Sequence, residues 1–402
     1  MADKPLLGNR KLIRGHNRST VLNAILTAGS ISRAELSQTI GLSPASITNL
    51  TADLLEEDLI LETRQGESRG GRRPILLELN PKGGFVVGLK LTDQQIIGAL
   101  TDLSANVLSN QTTALQGSEP EKIVDRIADT VTALLKEAKV PRNNLRGVGL
   151  GLAGVVDAEM GVSRQHPFFG WRDVPLGAML QNRLKTLVHI DNDVKALTQA
   201  ELLFGAGQGV SEFLTVTIGR GVGLGIVTGG KLYRGSHGGS GEFGHIVVEP
   251  DGRSCSCGKQ GCLETIVAEP SLVVAGQKAV KEGKLDPFTN LADLIDQAET
   301  GHPVAAKIFT DAGLVLGREI ANLINIFNPE LVLLSGEGTR IGDLIFLPMH
   351  SAINEHTMST LRNDSVVRVD HWGDDAWAVG AASLVLQDFF ASPIDRWKSV
   401  VP

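Results

Sequence analysis

Apolar positions at helical spacing open the chain. Between residues 17 and 28, Val21, Leu22, Ile25 and Leu26 share one helical face, and Gly29 ends the run. Ser32-Arg33-Ala34-Glu35 then offers a capping box ahead of a helix carrying Ala34, Leu36 and Ile40, stopped at Gly41. Ser43-Pro44 opens a third helix over residues 44–57, with proline in the first turn, where its missing N–H costs nothing. Short helix, Gly-containing turn, Ser-capped helix is the order of a helix-turn-helix. Residues 59–63 and 74–79 read as the strands of a hairpin, and the basic, Gly-rich stretch 64–73 forms its tip as a wing.

Beyond residue 80 the pattern becomes one of short apolar runs. Residues 85–91 and 95–100 read as adjacent strands, followed by a strand near 107–115, a helix over 121–138 and a buried run at 145–154. A similar order recurs in 213–219, 223–227, a long helix over about 304–325 and a strand at 331–336. Two such halves predict a duplicated α/β body of two lobes with a cleft between them. The Gly-rich turn 219–225 lets backbone approach a ligand, although alone it is a poor phosphate signal. Asn192-Asp193 ends a strand that would deliver both into the cleft. The aspartate could accept from a sugar hydroxyl or act as a general base, and the pair also suits the cap of a helix starting near Val194.

At 402 residues, 42% apolar and 21% charged, the composition is that of a soluble globular chain of two or three domains. No apolar run reaches membrane-spanning length, Met1 to Pro5 lack a signal-peptide core, and the cysteine count is odd, all of which point to a reducing cytoplasm. The net charge of −7 is unevenly spread: residues 1–80 hold ten Lys/Arg against nine Asp/Glu, which leaves the remainder acidic. Lys4, Arg10, Lys11, Arg14 and Arg18 make the front end a candidate for meeting a polyanion. In the recognition helix, Ser43, Ala45, Ser46, Thr48 and Asn49 are small or amide-bearing and suit base edges and phosphates. Arg69, Arg72 and Arg73 in the wing suit an A·T-rich minor groove. A small protein-docking module is the alternative for this region.

All three cysteines, Cys255, Cys257 and Cys262, follow His245 within one short stretch. One imidazole and three thiols are the ligands zinc prefers, so a tetrahedral Zn²⁺ site leads over three unrelated thiols. Glu242 and Glu264 flank it as polar groups able to hold a sugar.

Glu242-Phe243-Gly244-His245, followed by Cys255-x-Cys257-Gly258-x-x-Gly261-Cys262-Leu263-Glu264, resembles the ROK family of bacterial sugar-responsive repressors and sugar kinases. The resemblance covers almost the whole chain. It implies an α/β fold: an N-terminal winged helix-turn-helix on a two-lobed actin-like, or ribonuclease H-like, ATPase-type body. The winged module would occupy residues 1–80 and the first lobe 81–190, with a C-terminal helix over about 381–402 packing back on it. The second lobe, 191–380, would carry the zinc loop and an oligomerisation surface. The resemblance assigns structural zinc to His245, Cys255, Cys257 and Cys262. It associates Asn192, Asp193, Glu242, His245 and Glu264 with sugar hydroxyls, and places Gly154 and the segment 167–171 along the same cleft.

Two departures separate the chain from the family's kinases. Their Asp-x-Gly-Gly-Thr phosphate loop is replaced by Lys90-Leu91-Thr92-Asp93-Gln94, which puts a cation where the aspartate stood and removes both glycines. In the second loop, Arg220 and Leu224 add bulk where backbone must meet nucleotide. Phosphoryl transfer depends on positioning and charge neutralisation, so these losses remove the machinery. The expected protein is therefore not an enzyme. It is a regulator, expected to be a repressor, that binds inverted-repeat operator DNA as a homodimer or homotetramer and answers to a sugar or sugar phosphate. A sugar kinase with a DNA-binding appendage is the alternative, and a third class is a protein-docking regulator sequestered by a transporter protein, which is compatible with sugar binding as well.

Overall fold

The computed structural model describes residues 10–65, 74–370 and 376–390. The N-terminal module contains α1 (Arg10–Ala28), β1 (Ile31–Ser32), α2 (Arg33–Ile40), α3 (Pro44–Glu56), β2 (Ile60–Gln65) and β3 (Ile75–Leu79). Both halves of the predicted capping box are present: Ser32 accepts from the Glu35 amide, and Glu35 reaches back to the Ser32 amide. Gly41 closes α2 in the left-handed conformation, and Pro44 opens α3 behind the Ser43 cap. Strands β2 and β3 pair antiparallel, with β1 on the far edge of β3. The wing arginines Arg69, Arg72 and Arg73 lie outside the described residues.

Helix α1 begins at Arg10, well before the expected residue 17. The physical reason lies across the module. Arg14 pairs with Asp53 and Arg18 with Glu57, each at 2.5 Å, so this basic stretch is bound along α3. Those two cations are therefore paired within the module, with Arg14 exposed and Arg18 half-buried.

The first lobe is built on a five-stranded mixed sheet in the order β11-β7-β4-β5-β6. Its strands are β4 (Phe85–Leu91), β5 (Gln95–Asp102), β6 (Val107–Ala114), β7 (Leu145–Leu152) and β11 (Val188–Asn192). Helix α4 (Pro120–Glu137) and helix α5 (Leu176–Leu184) cover one face. A small sheet of β8 (Val155–Asp157), β9 (Val162–Gln165) and β10 (Arg172–Val174) extends from its rim. After β11 the chain turns into α6 (Asp193–Phe204).

The second lobe repeats the plan. Its sheet, in the order β14-β13-β12-β15-β16, contains β12 (Phe213–Ile218), β13 (Val222–Thr228), β14 (Lys231–Leu232), β15 (Leu331–Ser335) and β16 (Val366–Val369). Five helices accompany it: α7 (Glu264–Val267), α8 (Glu269–Lys281), α9 (Leu291–Glu299), α10 (Pro303–Phe327) and α11 (Asp343–His356). They share a large apolar core with β12, β13 and β15.

The final described helix, α12 (Ala376–Phe390), starts about five residues earlier than expected and lies on the first-lobe sheet. A Cβ at Gly88 would sit 1.8 Å from the Ala378 carbonyl oxygen, and one at Gly149 would sit 1.8 Å from that of Ala381. Backbone therefore packs directly on backbone, which only glycine in β4 and β7 permits. The far end of α12 enters the N-terminal module. Val385, Leu386 and Phe390 join Val21, Leu22, Ile25 and Leu77 in one core, and Asn23 donates to the Phe390 carbonyl at 2.6 Å.

Candidate effector and metal site

One wall of the predicted cleft is set by the junction of β11, in the first-lobe sheet, with α6. Asn192 is the N-cap: its Oδ1 accepts from the amides of Val194 and Lys195, and its Nδ2 donates to the Gly154 carbonyl at 3.1 Å. The cap alternative raised for this pair is thus realised by Asn192, which also ties the helix to the β7–β8 turn. Gly154 sits at φ +92°, and a Cβ there would meet the Gln165 carbonyl oxygen at 2.1 Å, so no other residue fits without moving the turn. Asp193 is the first residue of α6, where a negative charge is favoured by the helix dipole.

The opposite wall comes from the second lobe. Glu242 precedes a single helical turn, Phe243–His245, and Glu264 begins α7. Glu264 accepts from the Val222 amide at 3.3 Å; burial, reinforced by Glu242, holds its carboxyl above the ordinary range, against the pull of His245. His245 Nε2 lies 4.0 Å from Glu242 Oε2. Carboxylates here present acceptors for hydroxyl donors, while the His245 ring offers a donor.

Behind these walls lies a residue that pattern reading did not single out. Lys195 is 2% exposed, and its Nζ donates to the Gly238 carbonyl at 2.5 Å. Burial lowers its pKa, opposed by Asp191, Glu242 and Asp193 around it. Lys195 thus pins the Gly-rich loop leading to Glu242 against the helix that carries Asp193. Beside it, Arg234 donates to the fully buried Asp191 at 2.7 Å. A lysine on the buried face of a helix was the available signal.

His245, Cys255, Cys257 and Cys262 come together with their ligand atoms within 4.8 Å of one another. Cys255 Sγ is 3.5 Å from His245 Nδ1, and Cys257 Sγ is 3.7 Å from Cys262 Sγ. A tetrahedral ion with Zn–S bonds of about 2.3 Å separates neighbouring sulfurs by about 3.8 Å and sulfur from nitrogen by about 3.5 Å. The four residues therefore fit a metal of that size, with Nδ1 on the metal side and Nε2 left toward Glu242. Without a cation, burial and the two neighbouring thiols push Cys262 up to about 12, whereas Cys257, against its own burial, is lowered by the Lys259 amide and the neighbouring thiols.

On α3, Ser43, Ala45, Thr48 and Asn49 are exposed and Ser46 is half-buried. The Ser43 and Ser46 hydroxyls lie 2.9 Å apart, and Thr48 donates to the Pro44 carbonyl at 2.9 Å.

Fold and site together define a class: a winged helix-turn-helix module carried on a two-lobed actin-like body with a His-Cys₃ cluster beside the cleft. Residues 86–388 match the ROK family, and the chain belongs to it. It is 30% identical over 396 residues to the xylose repressor of Caldicellulosiruptor bescii, covering 96% of this chain and 99% of that one. It is 31% identical over 385 residues to the DNA-binding transcriptional dual regulator NagC of Escherichia coli, covering 94% of both. A crystal structure of a ROK family transcriptional regulator, a homologue of E. coli Mlc, superposes with a TM-score of 0.84 at 28% identity, covering 94% of this chain and 97% of that one. A ROK family glucokinase from Streptomyces griseus, solved with glucose and AMPPNP, gives 0.65 at 31% identity and covers 76% of this chain and all of that one. Among the described residues no helix is long and apolar enough to cross a membrane.

Proposed function

We propose that this protein is a transcriptional repressor whose hold on operator DNA is set by a sugar bound between the lobes. The observation that carries this reading is α12. Its first turn places Trp377 against Lys90 and Glu337 at the cleft, and its last turn fills the core of the winged module. A change in lobe angle therefore moves the DNA-reading helices. Full-length likeness to a named repressor and to a DNA-binding transcriptional dual regulator supports the same reading.

In this scheme Gly154, Asn192, Asp193, Glu242, His245 and Glu264 surround the sugar. His245, Cys255, Cys257 and Cys262 hold a structural Zn²⁺ that fixes His245 and the loop to Glu264. Ser43, Ala45, Ser46, Thr48 and Asn49 meet the major groove, and Arg69, Arg72 and Arg73 the minor groove. Two copies in a homodimer, or in each half of a homotetramer, read the two halves of an inverted repeat. Docking to a transporter protein would act on the same two-lobed body. Residues 1–80, 81–190 and 191–380 serve as DNA reader and the two lobes of the sensor.

The likeness to a glucokinase favours one other reading, an ATP-dependent sugar kinase with a DNA-binding appendage. Lys90 and Arg220 in the two phosphate-loop positions argue against it. Fluorescence anisotropy on the protein's own promoter fragment, titrated with a sugar library, tests the proposal: one sugar is expected to release the DNA. ATP consumption with the same sugars is expected at background. Turnover above background, or DNA binding indifferent to every sugar, would overturn it.

A further inference from the structure

The two altered loops are joined to each other. Arg220, in the turn between β12 and β13, donates Nη1 and Nη2 to the two carboxylate oxygens of Asp93, in the turn between β4 and β5, at 2.5 and 3.2 Å. Phe168 lies beneath that guanidinium, 5.1 Å from its ring centroid. Deeper in the cleft, Lys90 Nζ is 3.7 Å from Asp193, 3.6 Å from Glu337 and 3.4 Å from the centre of the Trp377 ring. Trp377 Nε1 in turn donates to Glu337 at 3.1 Å. Charges alternate along this row: Asp93, Arg220, Glu337, Lys90, Asp193. Each of the two ties, Asp93 to Arg220 and Lys90 to Glu337, runs from the first-lobe sheet to the second.

We propose that this row is a built-in clasp filling the phosphate half of the cleft, and that the effector accepted beside it is an uncharged sugar, not its phosphate ester. The inference rests on the sugar pocket proposed above and narrows its ligand class. Among the described residues, the cations on this side of the pocket already have partners: Lys90 with Asp193 and Glu337, Arg220 with Asp93, Arg234 with Asp191, and Lys195 with the Gly238 carbonyl. The pocket walls themselves are carboxylates. An ester carrying nearly two negative charges would meet Asp193, Glu242 and Glu264 unless it broke one of these pairs. A neutral polyol needs only acceptors for its hydroxyls, which those carboxylates supply.

Isothermal titration of the full chain tests this with aldohexoses, aldopentoses and 2-acetamido sugars, each beside its terminal phosphate ester. At least one neutral sugar is expected to bind, with its ester tenfold weaker or worse. An ester that binds as tightly as its sugar overturns the inference and leaves the sugar pocket standing. No binding by either class overturns the pocket and this inference together. In the double variant Asp93→Asn, Glu337→Gln, Arg220 loses its carboxylate and Lys90 keeps only Asp193 as an anionic partner, and ester affinity is expected to rise at least tenfold. An unchanged ester affinity shows that the clasp is not what excludes phosphate. Asp93→Asn alone, at one end of the row, removes the carboxylate from Arg220 and gives the same readout should the double variant not fold.

Discussion

Replacing Gly149 with alanine adds one methyl group at the point where α12 touches the first-lobe sheet. The new Cβ would lie 1.8 Å from the Ala381 carbonyl oxygen and 2.6 Å from its carbon. Ordinary contact needs about 3.4 Å or more, so the helix must withdraw by roughly 1.5 Å, because both partners are backbone and neither can rotate away. Forced overpacking of this kind costs about 1–3 kcal/mol. The withdrawal also carries Val385, Leu386 and Phe390 out of register with Val21, Leu22 and Ile25. Gly149→Ala is therefore expected to lower the melting temperature by several degrees, taking ~2–4 °C per kcal/mol. It is also expected to speed hydrogen exchange in α1 and α12 together, while α10 in the second lobe keeps its protection. Unchanged exchange in α1 would refute the claim that α12 is seated in both modules.

Further expectations concern single residues. The full chain is expected to hold one zinc by elemental analysis, and Cys262→Ser to lose it along with sugar binding; full zinc occupancy in that variant would remove the ligand assignment. Burial lowers the pKa of His166 from 6.5 to about 4. The unfolded chain therefore takes up the proton first as pH falls, so stability present above pH 6.5 is lost down to about pH 4, by about 3 kcal/mol. Urea melts of His166→Gln are expected to lack that share of the acid slope, and an identical slope would refute the assignment. Lys195→Met removes the buried cation among Asp191, Asp193 and Glu242, leaving Arg234 on Asp191 and Lys90 on Asp193, and is expected to weaken sugar binding at least tenfold in calorimetry; wild-type affinity would remove its positioning role. Arg14→Gln with Arg18→Gln is expected to leave the salt dependence of DNA binding unchanged. A slope reduced by about 0.9 for each arginine would instead place them on phosphates.

Local signals were legible in the sequence wherever the chemistry was local. The Ser32–Glu35 box, the Pro44 start and the His245–Cys262 cluster each declare themselves within about twenty residues, and the structure places them together. Two- to four-residue strands such as β1, β8 and β10 were not legible, since a period cannot be read from so few positions. Nor were the pairings of charges. Asp93 and Arg220 stand 127 residues apart, and each read alone was only a defect in a phosphate loop. The folded chain turns two defects into one contact. Nothing near Gly88 in β4 or Gly149 in β7 named the helix that packs on them.

The double seat of α12 also bears on how the protein is made. Asn23 and the Phe390 carbonyl it holds are 367 residues apart. At about 5–20 residues per second, a ribosome needs roughly 20–70 s to pass from one to the other. Throughout that interval the DNA-reading module lacks part of its apolar core. An incomplete chain released early would carry recognition helices without the helix that closes their core, and so would compete poorly for the operator. Synthesis through Phe390 is thereby a condition for closing the core of the N-terminal module, imposed by packing alone.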